Sequence, residues 1–239
     1  MHAALGDPLR LLMVDHLTYG DASPSELGAV TGLATNLLAF HLGTLQDAGL
    51  IRRVRSEGDR RRSYVQLRWD DGAVAALVEA IAAIAHPRAA DRVPRVVFVC
   101  THNSARSQLA AATWTAVTDI PTTSAGTHPA EHVHPRAIDV AARHGLALWQ
   151  PATRDVEDTL VPGDLLVAVC DNAHEELSAA PPAQPLTRPA GAVGRGWLHW
   201  AVPDPVRTDT DEAFETALAD ISHRVTRLAH ALNPTGTRA

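Results

Sequence analysis

Arg95-Val96-Val97-Phe98-Val99-Cys100-Thr101-His102-Asn103-Ser104-Ala105-Arg106-Ser107-Gln108 is the stretch on which the reading of this chain turns. Val96 to Val99 form an unbroken apolar run, the pattern of a buried strand, and Ser107 to Val117 read as the helix that follows. Between them lies a Cys-x5-Arg loop. A strand-loop-helix of this length turns successive backbone N–H groups inward and forms a nest for a tetrahedral oxyanion. The expected anion-binding residues are therefore Thr101, His102, Asn103, Ser104, Ala105, Arg106 and Ser107. Arg106 adds a planar fork able to grip two anion oxygens at once. The helix N-terminus and Arg106 together favour the thiolate form of Cys100, the form that acts as a nucleophile. A bare Cys-x5-Arg pattern arises often by chance. Its place between an apolar strand and an Ala-rich helix opening with Ser-Gln makes it specific, where a buried structural Cys beside a surface Arg would be the bland alternative.

Working outward, apolar strand-like runs alternate with helix-like segments towards the C-terminus, the pattern of a parallel sheet wrapped by helices. Towards the N-terminus, the polar, proline-bracketed run His86-Pro87-Arg88-Ala89-Ala90-Asp91-Arg92-Val93-Pro94 marks a break. Two domains of different class are expected: residues 1–88, mostly α-helical, and residues 94–233, α/β with a parallel sheet.

In the first of these, Leu9, Leu12, Met13, His16 and Leu17 keep helical spacing within a helix expected over Leu5 to Leu17. Ser23 is placed to cap a short helix from Pro24 to Val30, Gly32 supplies a turn, and Thr35 is read as the cap of a third helix through Leu45. Helix, Gly-containing turn and helix make a helix-turn-helix, whose second helix enters the major groove of DNA. Leu50 to Val54 and Ser63 to Leu67 then read as a hairpin turning at Gly58-Asp59, a wing decorated by Arg52, Arg53, Arg55, Arg60, Arg61 and Arg62. A solvated arginine-rich hairpin would also carry such a run. Beside a helix-turn-helix, phosphate contact is the better explanation. The expected DNA-contacting residues are Thr35, Asn36, Ala39 and His41 on the helix with Arg60, Arg61 and Arg62 on the wing.

Ala48-Gly49-Leu50 and the Leu5-Gly6-Asp7-Pro8-Leu9-Arg10 opening resemble the metal- and metalloid-responsive winged-helix repressors of the arsenical-resistance (ArsR) type, over roughly residues 3–86. The resemblance implies double-stranded operator DNA as a partner. It also implies a homodimer formed through an apolar helix from Gly72 to Ala85 bearing Val74, Leu77, Val78, Ile81 and Ile84. The arsenite-responsive members carry a Cys-x-Cys pair where this chain has Ser23 and Ser25. Hydroxyls are poor ligands for soft arsenite, so that thiolate trap is absent here.

Asn103-Ser104-Ala105-Arg106-Ser107-Gln108, Ser124-Ala125-Gly126-Thr127, Pro135-Arg136-Ala137, Val169-Cys170-Asp171-Asn172-Ala173 and Val202-Pro203-Asp204-Pro205 resemble the low-molecular-weight tyrosine phosphatase superfamily, and more closely its arsenate reductases. By motif match, the resemblance implies Cys100 as nucleophile, Arg106 as oxyanion clamp, Asn103 and Ser107 as supports of the loop, and Asp204 as general acid. Phosphatases of this type follow the Asp-Pro with tyrosines that stack on the substrate ring. Val206 and Arg207 follow here, although Trp197 and Trp200 are nearby, which favours a small inorganic anion, arsenate or phosphate. Arsenate reduction needs a second thiol. Thioredoxin-linked reductases carry two further cysteines, but His174-Glu175-Glu176-Leu177 supplies none after Cys170. Cys170 either resolves Cys100 directly or is a strand-end core cysteine, with an external thiol (a low-molecular-weight thiol or a glutaredoxin- or thioredoxin-type partner) as reductant. Ala111 stands where potassium-binding reductases have Glu. No bound cofactor is expected. His128, His132 and His134 read as loop residues, not metal ligands.

Composition bounds the rest. Hydrophobic residues at 46% and charged residues at 20% are ordinary for a globular protein. A net charge of −6 excludes a uniformly basic nucleic-acid binder but not a locally basic one. With 2 cysteines, a disulfide scaffold is excluded. No apolar run approaches membrane-spanning length, and the Met1-His2-Ala3 opening lacks a signal-peptide layout, so a cytoplasmic location is expected. Three functions compete: a DNA-binding regulator fused to an active arsenate reductase, a transcription factor whose catalytic fold only senses oxyanions, and a phosphatase.

Overall fold

Side-chain caps set where the first helices begin. The computed structural model describes residues 2–84, 93–148, 152–187 and 196–232. Asp7 accepts hydrogen bonds from the backbone N–H groups of Leu9 and Arg10, with Pro8 at the first helical position. The single helix expected from Leu5 is therefore two: α1 (His2–Leu5) and α2 (Pro8–Leu17). Ser23 and Glu26 form a reciprocal capping box at the start of α3 (Pro24–Thr31). Its partner α4 (Thr35–Asp47) takes Ala34 as its N-cap, so Thr35 is the first helical residue and not the cap. Strands β1 (Ile51–Arg55) and β2 (Ser63–Leu67) pair antiparallel with Ile51 opposite Leu67 and Arg55 opposite Ser63.

Helix α5 (Gly72–Ile84) follows. Val74 and Val78 of α5 are buried in one core with Met13, Leu17, Leu27, Leu42, Leu45, Ile51 and Leu67. Val74 and Val78 thus pack within the chain, while Leu77 is partly buried against the same core. Ala85 and the break from 86 to 92 lie outside the described residues.

The second half runs β3 (Val96–Cys100), α6 (Arg106–Val117), β4 (Thr122–Gly126), α7 (Pro135–Arg143), α8 (Val156–Thr159), β5 (Leu165–Ala168), α9 (Asp171–Ala179), β6 (Leu198–His199), α10 (Pro205–Thr208) and α11 (Asp211–Leu232). Its strands are all parallel in the order β4-β3-β5-β6. Every residue of β3 is buried, as expected of an apolar run inside a sheet covered on both faces. Long α11 lies against α6 and α7. Chain order reverses beside β3, so the loops leaving the carboxyl ends of all four strands meet in one crevice, where open α/β sheets bind ligands.

The two halves are joined by buried polar contacts. Asp21 Oδ2 accepts from Gln66 Nε2 at 2.9 Å, from the Ala201 backbone N–H at 2.7 Å and from Arg224 Nη1 at 3.0 Å. Burial works against the Arg224 charge, but Asp21 and Asp220 outweigh it and hold the guanidinium above its ordinary value. Trp200 Nε1 donates to the Tyr19 carbonyl at 2.9 Å. Among the described residues, no helix is long and apolar enough to cross a membrane.

Candidate active site

Peptide geometry makes the Cys100–Arg106 loop a cradle. The carbonyls of Cys100, Thr101, His102 and Ser104 accept from the backbone N–H groups of Thr127, His128, Ala130 and His134 at 3.1, 2.8, 2.9 and 2.8 Å. In a trans peptide the N–H points opposite to its carbonyl. The N–H groups of Thr101, His102, Asn103 and Ala105 are thereby turned away from the 127–134 segment, and that of Asn103 reaches Cys100 Sγ at 3.2 Å. The loop sits so close to β4 that a Cβ on Gly126 would lie 2.7 Å from the Thr101 carbonyl oxygen and 2.9 Å from the Asn103 nitrogen. Only glycine fits there.

Asn103 holds the turn at φ 49°, a left-handed conformation that asparagine tolerates better than most residues. Its side chain is fixed on both ends: Nδ2 donates to Ser107 Oγ at 2.8 Å, while Oδ1 accepts from the Arg154 backbone N–H at 2.9 Å and Gln108 Nε2 at 3.2 Å. Since Ser107 Oγ accepts from Asn103, its own proton is free for Cys100 Sγ, 3.1 Å away. A hydroxyl, a backbone N–H and the N-terminus of α6 thus converge on one sulfur.

Arg106 is 5% exposed. Its Nη1 donates to the Val202 carbonyl at 3.0 Å, and Nη2 lies 3.2 Å from Asp204 Oδ2. Burial opposes the Arg106 charge. Cys170, Cys100, Asp204 and Glu57 together outweigh it and keep the group firmly protonated. The other Asp204 oxygen caps α10 through the Val206 N–H at 3.2 Å. Cys170, at the carboxyl end of β5, is buried, with Thr101 Oγ1 3.6 Å from its sulfur. Burial pushes the Cys170 thiol up, against the opposing pull of Arg106. Both cysteines are free.

Cys100, Arg106, Asp204 and Cys170 are brought together from three strand ends. His102 is exposed, its Nδ1 3.0 Å from the His128 carbonyl. His128, His132 and His134 each face a different carboxylate, Glu176, Glu131 and Asp209, at 3.4, 3.4 and 3.5 Å. Trp197 and Trp200 are buried in the core, which removes them as a stacking platform. Sequence reasoning missed Glu57, whose carboxylate lies 3.3 Å from Arg106 Nη1. Nothing local in Ser56-Glu57-Gly58 signals a partner so distant in sequence.

Of the residues expected to meet DNA, Thr35, Asn36 and Ala39 are exposed on α4, and Arg60, Arg61 and Arg62 are exposed on the hairpin. His41 is different. It is buried, with Nδ1 3.4 Å from Arg10 Nη1 and 3.9 Å from Asp7 Oδ1, so its side chain serves the packing of α4 on α2 and is withdrawn from any groove. Ser23 Oγ is occupied by the cap of α3 and lies 2.9 Å from Ser25 Oγ.

A family model for low molecular weight phosphotyrosine protein phosphatase matches residues 95–237. Among solved structures, the chain is similar to an arsenate reductase from Archaeoglobus fulgidus DSM 4304, with 28% identity, a TM-score of 0.45 and coverage of 56% of this chain and 98% of that one. It is similar to the tyrosine phosphatase Wzb from Escherichia coli K30 in complex with sulphate, with 22% identity, a TM-score of 0.49 and coverage of 59% and 99%. It is similar also to the YwlE arginine phosphatase from Geobacillus stearothermophilus, with 19% identity, a TM-score of 0.47 and coverage of 59% and 93%. Comparison with curated proteins gives no match.

Proposed function

Because the chain belongs to the low-molecular-weight phosphotyrosine protein phosphatase family over residues 95–237, we propose that its C-terminal half is a Cys100-dependent enzyme acting on a tetrahedral oxyanion, and specifically a thiol-dependent arsenate reductase. The observation that carries the reading is the convergence of Ser107 Oγ and the Asn103 N–H on Cys100 Sγ, with Arg106 and Asp204 paired alongside. An entering oxyanion takes Arg106 Nη2 in place of the Asp204 carboxylate, which frees Asp204 for proton transfer. The freed Asp204 carboxylate takes a proton from the entering dihydrogen arsenate. The Cys100 thiolate attacks As(V), an S–As bond forms, and the remaining arsenate hydroxyl leaves as water with that proton returned from Asp204. A second thiol then attacks the Cys100 sulfur. The S–As electron pair departs with arsenic as As(III) arsenite, and the two sulfurs are left oxidised as a disulfide.

Arsenate is favoured over an aryl phosphate because Val206 and Arg207 follow Asp204 where a stacking ring would be needed, and both nearby tryptophans are core residues. Phosphate-ester hydrolysis remains the second reading, favoured by Asp204, since a carboxylic acid beside the clamp is what an ester leaving group requires. Cys170 is the internal candidate for the second thiol, and an external low-molecular-weight thiol or glutaredoxin-type protein is the other. The test is arsenite release with each thiol donor, run beside aryl phosphate hydrolysis on the same preparation. Arsenite formation at a rate that depends on donor identity supports the reductase; ester hydrolysis without arsenite formation replaces it with the phosphatase.

For the N-terminal half, we propose a winged-helix module that binds double-stranded operator DNA as a homodimer. The α3–Gly32–α4 unit supports this reading, as do the exposed Thr35, Asn36 and Ala39 and the exposed Arg60, Arg61 and Arg62 on the β1–β2 hairpin. Gel-shift titration on inverted repeats with half-sites about one helical turn apart checks it; indifference to half-site spacing would remove the dimer.

A further inference from the structure

The tip of the β1–β2 hairpin reaches the catalytic crevice. Ser56 Oγ donates to Glu175 Oε1 at 2.7 Å, the Asp59 N–H donates to Glu175 Oε2 at 2.8 Å, and the Glu57 N–H donates to Asp171 Oδ2 at 2.8 Å. Tyr64, further along β2, donates to Glu175 Oε1 at 3.0 Å. The approach to α9 is tight enough that a Cβ on Gly58 would lie 2.6 Å from both Asn172 Oδ1 and Glu175 Oε2. The backbone carrying Glu57 is therefore fixed from both sides.

From that fixed point, the Glu57 side chain spans two catalytic elements. Oε2 lies 3.3 Å from Arg106 Nη1, and Oε1 accepts from the Asp204 backbone N–H at 3.1 Å. Nη1 is the corner of the guanidinium already tied to the Val202 carbonyl at 3.0 Å. The Nη2–Nε edge is left as the fork that can take two anion oxygens once Asp204 moves aside. Glu57 thus grips the clamp by its back edge and holds the start of the acid-bearing segment with its other oxygen.

We propose that Glu57 is a positioning residue for the reaction at Cys100, keeping Arg106 and the Asp204 segment in one register, so that the catalytic site is completed by the N-terminal hairpin. The inference rests on the reading of Cys100, Arg106 and Asp204 as a catalytic oxyanion site. It also gives the proposed DNA module a mechanical route to that site, because Arg60, Arg61 and Arg62 follow Glu57 within the same turn. A competing role, Glu57 as a carboxylate plug that anions must expel, has the opposite sign in phosphate binding and in turnover.

The test uses the full chain with Glu57→Gln and Glu57→Ala. The readouts are phosphate affinity by calorimetry, kcat and KM for arsenate reduction and for p-nitrophenyl phosphate hydrolysis, and the thermal midpoint. Glutamine keeps an acceptor for the Asp204 N–H and gives up the ionic grip on Arg106, so phosphate binding should weaken about 3–10-fold, with kcat falling by less than about 10-fold. Alanine can make neither bond, and kcat should fall by roughly 10²-fold, the scale of an ångström-sized misplacement of catalytic groups. The thermal midpoint of the near-isosteric Glu57→Gln variant should stay close to wild type, and this variant decides the matter if Glu57→Ala fails to fold. Tighter phosphate binding or faster turnover in either variant overturns the inference in favour of the plug. Unchanged constants overturn it too. A wild-type protein that neither binds phosphate nor turns over either substrate overturns the reading of the site itself, and the inference with it, before any Glu57 variant is made.

Discussion

The Cys100–Ser107 loop and the Ser56–Arg62 hairpin tip are both short polar turns bearing arginine, yet they are held in opposite ways. In the loop, the groups that aim the sulfur come from within the motif: Asn103, Ser107 and the backbone between them. In the hairpin, the inner side is fixed by Asp171 and Glu175, over a hundred residues away, while Arg60, Arg61 and Arg62 face solvent. Even there Arg61 folds back on Asp59 at 2.9 Å with its side chain 91% exposed, a pair of the kind that contributes little in water. One turn aims its sulfur with its own residues. The other is a bridge with a free outer face.

The largest expected effect comes from disarming the first of these turns. Cys100→Ser should lower turnover of arsenate or aryl phosphate by roughly 10³-fold or more, because it removes the nucleophile while changing little volume. Circular dichroism and the thermal midpoint should stay near wild type. Turnover near the wild-type rate would move the chemistry away from this loop.

Next in size is the seam that lets the bridge exist. Arg224→Met leaves Asp21 and Asp220 without their buried cation, which should cost about 3–5 kcal/mol in chemical unfolding. A loss below about 1 kcal/mol would mean that water or another donor replaces Arg224 and that the seam is not built on this pair.

The same contrast explains what is legible in the sequence. The Cys-x5-Arg loop can be read because strand, turn and helix are contiguous from Val96 to Val117 and the groups that aim its sulfur lie inside the motif. The parallel sheet follows from the alternation of apolar runs. Caps are legible where local spacing isolates them: Ser23 stands out before Pro24, while Asp7 is hidden because Leu5 to Leu17 keeps one apolar periodicity across the split. Glu57, Asp21 and Arg224 are beyond reach, since each acts on residues brought near only by the docking of two halves. His41 misleads for a related reason. Helical spacing gives the face of α4 but not that Arg10 and Asp7 of another segment cover it.

A smaller effect sharpens the outer face of the bridge. Replacing Arg60, Arg61 and Arg62 with Ala should weaken binding to every DNA sequence and flatten the salt dependence, by about one unit of slope for each phosphate left without its arginine. Unchanged salt dependence would remove the hairpin from a DNA interface.

The smallest is a matter of pH. Burial lowers the His16 pKa below 6.5, against the opposing pull of Glu26 and Asp15, so the folded chain favours the neutral ring. As pH falls below 6.5, the unfolded chain binds the proton first. Stability from this residue is therefore complete above that value, declines as pH drops towards the depressed folded value, and levels off below it. Urea midpoints measured from about pH 7.5 down to about 5.5 should fall less steeply in His16→Gln than in wild type. Parallel curves would assign the acid sensitivity to other groups.

The most direct test of the central claim, that Cys100 is the nucleophile of an oxyanion site, is rapid acid quench of the enzyme during turnover of an aryl phosphate, followed by mass mapping of the peptides. A phosphoryl group on Cys100 in wild type, absent from Cys100→Ser, is the result expected. A phosphoryl group on any other residue, or turnover with Cys100 unmodified throughout, would contradict it.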